Sequence, residues 1–138
     1  MRGRTLVDSG PLVALFDKGD QHHRQALDFL SSFTGELLAT TPVLTEVCYL
    51  LDFNVAAQVD FIRWVSEGAL TLVELDRKDL LRIAELAQKY ADLPMDFADA
   101  SLVAIGERLE IRQIATIDTD FHLYRMQGKT AFRNIFFS

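Results

Sequence analysis

Short apolar runs alternate with stretches of helical spacing along this chain. "RTLVD" (4–8) reads as a buried strand, and helical patterns follow over 10–17 and 21–33, where Ala26, Leu27, Phe29, Leu30 and Phe33 share one face. "ELLAT" (36–40) is a second strand; Pro42 then opens a helix to about Phe53, since proline suits a first helical turn. Residues 55–67 form another helix, with Val59, Ile62 and Trp64 among its apolar positions, and "ALTLVEL" (69–75) is a third strand. Helices over 77–91 and 97–110, the latter preceded by Pro94, lead to a fourth strand, "QIATID" (113–118), and "NIFF" (134–137) offers a fifth. Strands separated by helices imply an α/β protein with a central parallel sheet covered on both faces.

At 138 residues the chain is expected to be one domain, 1–138, burying about two-thirds of its unfolded surface. Apolar residues are 49% and charged residues 25%, ordinary for a soluble globular protein. No apolar run approaches the ~18 residues of a membrane span, and Arg2 and Arg4 precede too short a run for a signal peptide. One cysteine, Cys48 in "VCYLL", excludes an internal disulfide, fits a reducing compartment such as the cytoplasm and reads as core packing. The net charge of −6 argues against a nucleic-acid partner. Its distribution changes that picture: Phe121 to Ser138 holds no acid but carries Arg125, Lys129 and Arg133. That segment is either a solvated tail or a basic patch beside an acidic centre.

Ligands of an open parallel sheet bind beyond the carboxyl ends of its strands, and four acids map there. Asp8 closes the first strand and Asp118 the fourth. Glu46 lies in the first turn or two of the helix after the second strand. The 97–110 helix leads into the fourth strand, so it runs antiparallel to it and starts, with Asp99, at the same rim. Val43, Val47, Leu50 and Leu51 form an apolar arc, and Glu46 stands about 40° from Leu50 at its border; Asp99 lies near Val103 and Gly106 in phase. Asp96 projects roughly as Asp99 does, and by itself is a helix N-terminal acid favoured by the dipole. Converging carboxylates push each other's pKa up unless a cation sits among them, and an all-oxygen set suits Mg²⁺ or Mn²⁺. Asp8 therefore reads as a ligand rather than a turn residue.

"LVDSGPLVALFD", "PVLTEVCYLL", "DFADASLVAIGERL" and "IATIDTDF" together resemble the PIN-domain nucleases, particularly the VapC-type toxins of bacterial toxin–antitoxin pairs, from residue 5 to about 125. Each motif is one acid in an apolar frame; the specificity lies in four of them in order. The resemblance implies a three-layer α/β/α sandwich and metal-dependent cleavage of RNA, with Asp8, Glu46, Asp99 and Asp118 as catalytic metal ligands. It makes Ser9 and Thr116 polar support, with Asp120 a further candidate, and leaves Asp96 as an extra acid at a variable position. It also implies a homodimer and an antitoxin lying across the active site. "DQHHR" (20–24) echoes a family loop, but His22 and His23 read as helix-entry residues.

The expected chemistry is hydrolysis of a phosphodiester by water activated on one or two Mg²⁺ or Mn²⁺ ions. No G-x-S-x-G and no Cys/His zinc spacing competes with it, and "GKT" (128–130) lacks the earlier glycine of a P-loop. Arg125, Lys129 and Arg133 are candidates to grip an RNA backbone. Two alternatives stay open: a PIN nuclease of RNA maturation or turnover without an antitoxin, and a non-catalytic PIN-like binding module. A phospho-acceptor receiver would need a lysine after the last strand, and none follows "NIFF". The apolar helices at 43–53 and 55–67 offer Tyr49, Phe53 and Trp64 to a partner, although core packing is the expectation for most of them.

Overall fold

The computed structural model describes residues 3–93 and 95–137, so Arg2 and Pro94, both used above, lie outside the described residues. In chain order the elements are β1 (Arg4–Val7), α1 (Ser9–Phe16), α2 (His23–Ser32), β2 (Glu36–Thr40), α3 (Thr41–Leu50), α4 (Val55–Ser66), β3 (Thr71–Val73), α5 (Arg77–Lys89), α6 (Phe97–Leu109) and β4 (Gln113–Ala115). A 3-10 turn (Thr119–His122), a two-residue hairpin of β5 (Arg125–Met126) and β6 (Thr130–Ala131), and β7 (Arg133–Asn134) complete the fold.

The main sheet has the order β3-β2-β1-β4-β7 and is parallel throughout. The six helices flank it in an α/β/α arrangement, as the strand–helix alternation requires. Leu6 pairs with both Leu38 and Ile114, and all three are buried. On α6 the run from Ala98 to Gly106 is buried without interruption. This helix sits so close to the sheet that a Cβ on Gly106 would lie 3.2 Å from Leu6 Cδ1 and 3.0 Å from the Ile111 carbonyl. Among the described residues no helix is long and apolar enough to cross a membrane.

Several expected boundaries shorten. The third and fourth strands keep only Thr71–Val73 and Gln113–Ala115, and the helix from Pro42 stops at Leu50. The fourth strand leaves the sheet where the side chain of Asn134 takes over the backbone of Thr116. The C-terminal segment is not a loose tail: the hairpin folds back on α6, and the fifth strand is Arg133–Asn134, starting before "NIFF".

Three packing expectations are corrected. Leu50 is exposed, so the inward arc of α3 is Val43, Val47 and Leu51. Tyr49 and Phe53 are not core, being 71% and 66% exposed at the end of α3 and in the α3–α4 connection. Trp64 does pack inward, edge-on to Phe16 at 5.4 Å. Cys48 is half-buried against the core.

Candidate metal centre

β1 and β4 lie side by side, but the chain winds outward from β1 through β2 and β3 before returning to β4. This is a switch point, where the connections after the two strands part and leave a crevice at their carboxyl ends. Asp8 follows β1 and caps α1: Oδ1 accepts the Ser9 amide at 2.8 Å, while Oδ2 accepts the Thr116 hydroxyl at 2.9 Å. It is thus a turn residue as well as a member of the acid cluster. Gly10 lets α1 start tight against the other strand end, since a Cβ there would sit 3.3 Å from Ile117 Cβ. The oxygen of Thr116 also accepts the Asp118 amide at 2.9 Å, and Asp118 Oδ1 accepts the Asp120 amide at 2.9 Å. Asp120 therefore supports the Asp118 side chain through its backbone.

Asp99 arrives from the start of α6. Asp96 caps that helix, accepting the Asp99 amide at 2.8 Å, and Asp99 reaches back to the Asp96 amide at 3.3 Å. The same D-x-x-D box opens α5, where Asp76 and Asp79 exchange bonds of 2.8 and 2.9 Å. The two boxes then diverge. Buried Asp79 is paired with Arg108 at 3.0 Å, whereas no ion pair among the described residues involves Asp99, Asp8 or Asp118.

Asp8, Asp99 and Asp118 bring one carboxylate oxygen each to within 4.8 Å of one another. Glu46 stands beside this triplet rather than in it: its Oε1 accepts the Ser9 hydroxyl, and its carboxyl lies against that of Asp96. Burial pushes Asp8 up from 3.8 to about 6, opposed by the Ser9 and Thr116 hydrogen bonds and reinforced by the charges of Asp118 and Asp96. Burial together with the charges of Asp8, Asp96 and Asp118 raises Asp99 further, to about 8. Glu46 is raised by burial and by its neighbour Asp96, against the Ser9 hydrogen bond. Oxygen donors that repel one another when ionised, with no basic side chain among them, fit a hard divalent cation.

The other expected residues are dispersed. The Arg125 guanidinium donates to the carbonyls of His122 and Tyr124 at 2.6 and 3.0 Å. Lys129 lies at the hairpin turn, which is tied to Glu107 in the last turns of α6, away from Asp99. Arg133 pairs with Gln113 at the start of the strands, opposite the acids. His23 Nδ1 bonds the Ala14 carbonyl at 2.7 Å, and His22 lies 3.7 Å from Asp20; both hold the entry to α2.

Sequence reasoning missed one contributor. Asn134 brackets Thr116, accepting its amide at 3.3 Å and donating to its carbonyl at 3.0 Å. A polar residue in a short apolar strand was the available signal. Tyr124 is fully buried, and burial, followed by the charges of Asp99, Asp118, Asp120 and Asp96, pushes its hydroxyl above the ordinary tyrosine range. A groove of about 590 Å³ also opens beside Glu46 and Asp96, walled by Pro42, Thr45, Tyr49 and Phe97.

Residues 5–126 match the PIN domain family. The chain is 27% identical to Ribonuclease VapC26 of Mycobacterium tuberculosis over 115 residues, covering 82% of this chain and 85% of that protein. Among solved structures it resembles VapC20 of M. tuberculosis, described as a sarcin-ricin loop cleaving toxin, with a TM-score of 0.78 at 20% identity, covering 84% of this chain and 91% of that one. It also resembles a chain of VapBC2 from Rickettsia felis bound to a promoter DNA fragment, with a TM-score of 0.66 at 12% identity and coverage of 97% and 98%.

Proposed function

The chain belongs to the PIN-domain family, and from that premise we propose that it is a Mg²⁺- or Mn²⁺-dependent endoribonuclease serving as the toxin of a toxin–antitoxin pair. One observation carries this reading: Asp8 and Asp99, both buried, converge with half-buried Asp118 with no counter-charge among the described residues, while the equivalent acid of the neighbouring helix, Asp79, has Arg108. A fold keeps three such carboxylates together at a cost, and a cation removes that cost. The ribonuclease and toxin relatives support the same activity.

Asp8, Asp99 and Asp118 would hold the cation, with Glu46 available from the open side. When bound, the cation supplies charge stabilisation at the phosphodiester and a water nucleophile at neutral pH. The protein's own residues set the geometry. Thr116 fixes the Asp8 carboxylate and ties it to the Asp118 backbone; Ser9 holds Glu46; Asn134 holds Thr116. The groove beside Glu46 offers an unpaired base the exposed faces of Tyr49 and Phe97, with carboxylates to accept from its amino group. The Arg125 guanidinium is engaged by the His122 and Tyr124 carbonyls, and Arg125, Lys129 and Arg133 would meet only RNA that extends beyond the acids.

Tyr49, Leu50, Phe53, Val55, Val59 and Ile62 are all exposed on α3, α4 and their connection. An apolar surface of this kind supports a protein partner, either a second copy or an antitoxin. The experiment that tests the function is cleavage of a structured RNA by the purified chain. Cleavage is expected with Mg²⁺ or Mn²⁺, and loss of it with chelator or in Asp8→Asn; metal-independent cleavage that survives Asp8→Asn would reject it.

A further inference from the structure

The groove beside the acid centre lies between α3 and the start of α6, and its volume of about 590 Å³ is ordinary for a small-ligand site. Pro42, Thr45, Glu46 and Tyr49 line it from α3 as one stripe at helical spacing, and Asp96, Phe97 and Ala98 line it from α6. The two walls are fixed to each other. Buried Thr40 and Ser101 hydrogen-bond through their hydroxyls at 2.7 Å, and Ser101 donates on to the Ala98 carbonyl at 2.7 Å. Each helix contributes one aromatic side chain, Tyr49 and Phe97, and both stay exposed.

The polar groups of the groove divide by kind. Its acceptors are carboxylates: Asp96, whose Oδ1 also accepts the Asp99 amide at 2.8 Å, and Glu46, which also accepts the Ser9 hydroxyl. No ion pair among the described residues involves either acid. The Thr45 hydroxyl is spent on the Thr41 carbonyl at 3.1 Å. Donors come from the backbone, because Phe97 and Ala98 open α6 and their amides have no partner within the helix. RNA bases differ in how they meet such a pattern along their Watson–Crick edges. Uracil offers one N–H between two carbonyl oxygens; adenine and cytosine each offer one amino group beside a ring nitrogen that only accepts. Guanine alone carries two adjacent donors, its ring N–H and its 2-amino group, next to an accepting oxygen, O6. Two side-by-side donors match the two oxygens of a carboxylate.

We propose that the groove is a guanine-selective subsite for an unpaired base of the RNA substrate. The Asp96 carboxylate accepts from the guanine ring N–H and 2-amino group, O6 meets the first-turn amides of α6, and the ring lies against Tyr49 and Phe97. This deepens the nuclease reading above and rests on it. Glu46 both lines the groove and bonds Ser9 beside the acid triplet, so a base held here adjoins the phosphodiester to be cut. The guanidinium of a protein partner's arginine also has paired donors, but it has no acceptor for the α6 amides; guanine uses both.

The test uses the full chain carrying Asp8→Asn, in Mg²⁺, and fluorescence anisotropy of single-stranded uridine hexamers whose central position is varied. The oligomer with guanosine there is expected to bind about tenfold or more tightly than those with adenosine, cytidine or uridine. Inosine, which keeps O6 and the ring N–H but lacks the 2-amino group, is expected to fall between. Adding Asp96→Asn preserves the helix cap but turns one acceptor into a donor, and is expected to abolish the preference for guanosine, with the fold checked by circular dichroism. Equal affinities for all the oligomers, or a guanosine preference that survives Asp96→Asn, would overturn the inference and leave the nuclease reading standing. Tighter binding of N-acetylarginine amide than of guanosine monophosphate would also overturn it, in favour of a protein partner. A chain that binds none of the oligomers would count against both.

Discussion

Thr116 joins Asp8 to the other half of the site: its hydroxyl donates to Asp8 Oδ2 at 2.9 Å and accepts the Asp118 amide at the same distance. One buried oxygen thereby couples the residues that follow β1 and β4, 108 positions apart. Thr116→Val keeps the shape and strips both bonds, leaving the Asp118 amide without its partner. We expect a loss of about 1–3 kcal/mol in stability and a fall of about 10–100-fold in metal-dependent cleavage. Denaturant titration and an RNA cleavage assay read the two effects separately.

The two D-x-x-D boxes make a matched pair for mutation. Asp79→Asn removes the closer of the two carboxylates paired with Arg108, leaving Asp76 at 3.9 Å, and is expected to destabilise by about 1–3 kcal/mol. Asp99→Asn can still accept the Asp96 amide but no longer repels Asp8 and Asp118, so the metal-free protein is expected to gain stability at pH 8. The same substitution should abolish the stabilising effect of Mn²⁺. Thermal unfolding of the two variants with and without metal checks the opposite signs.

Stability without metal should fall as pH rises. Asp8 shifts from 3.8 to about 6 and Asp99 to about 8, so between about pH 4 and pH 8 the folded chain holds protons that the unfolded chain has released. Unfolding then releases protons, and raising the pH favours it. Tm in chelator is expected to drop by several degrees from pH 5 to pH 8, and millimolar Mn²⁺ to reverse most of the drop at pH 8. A flat or rising Tm in chelator would contradict the raised values that burial, and then mutual repulsion, give Asp8 and Asp99.

The groove makes a separate prediction about substrate. Phe97 is 51% exposed at its edge and not part of the core. In an Asp8→Asn background that binds without cutting, Phe97→Ala is expected to weaken single-stranded RNA binding about fivefold or more, the effect of one lost stack. Filter binding measures it, and the fold should be unaffected by circular dichroism.

Much of the site was legible because its acids sit where chain direction changes. Asp8 and Asp118 follow runs that could only be strands, and Asp99 had to start a helix antiparallel to the next strand. Periodicity was less informative about what an apolar stripe faces. Tyr49, Leu50 and Phe53 continue the helical pattern of α3 but turn outward, since spacing records a face and not its partner. The β5–β6 hairpin escaped notice because its strands are two residues each and its turn relies on Gln127 and Gly128 with positive φ. Asn134 acts through contacts with Thr116 that only β7 creates.

The most direct test is a crystal of the chain soaked in Mn²⁺ and measured at a wavelength where manganese scatters anomalously. A peak is expected among the carboxylates of Asp8, Asp99 and Asp118, absent from crystals of Asp99→Asn. Full soaking with no manganese between those three residues would contradict the metal centre, and the proposed nuclease with it.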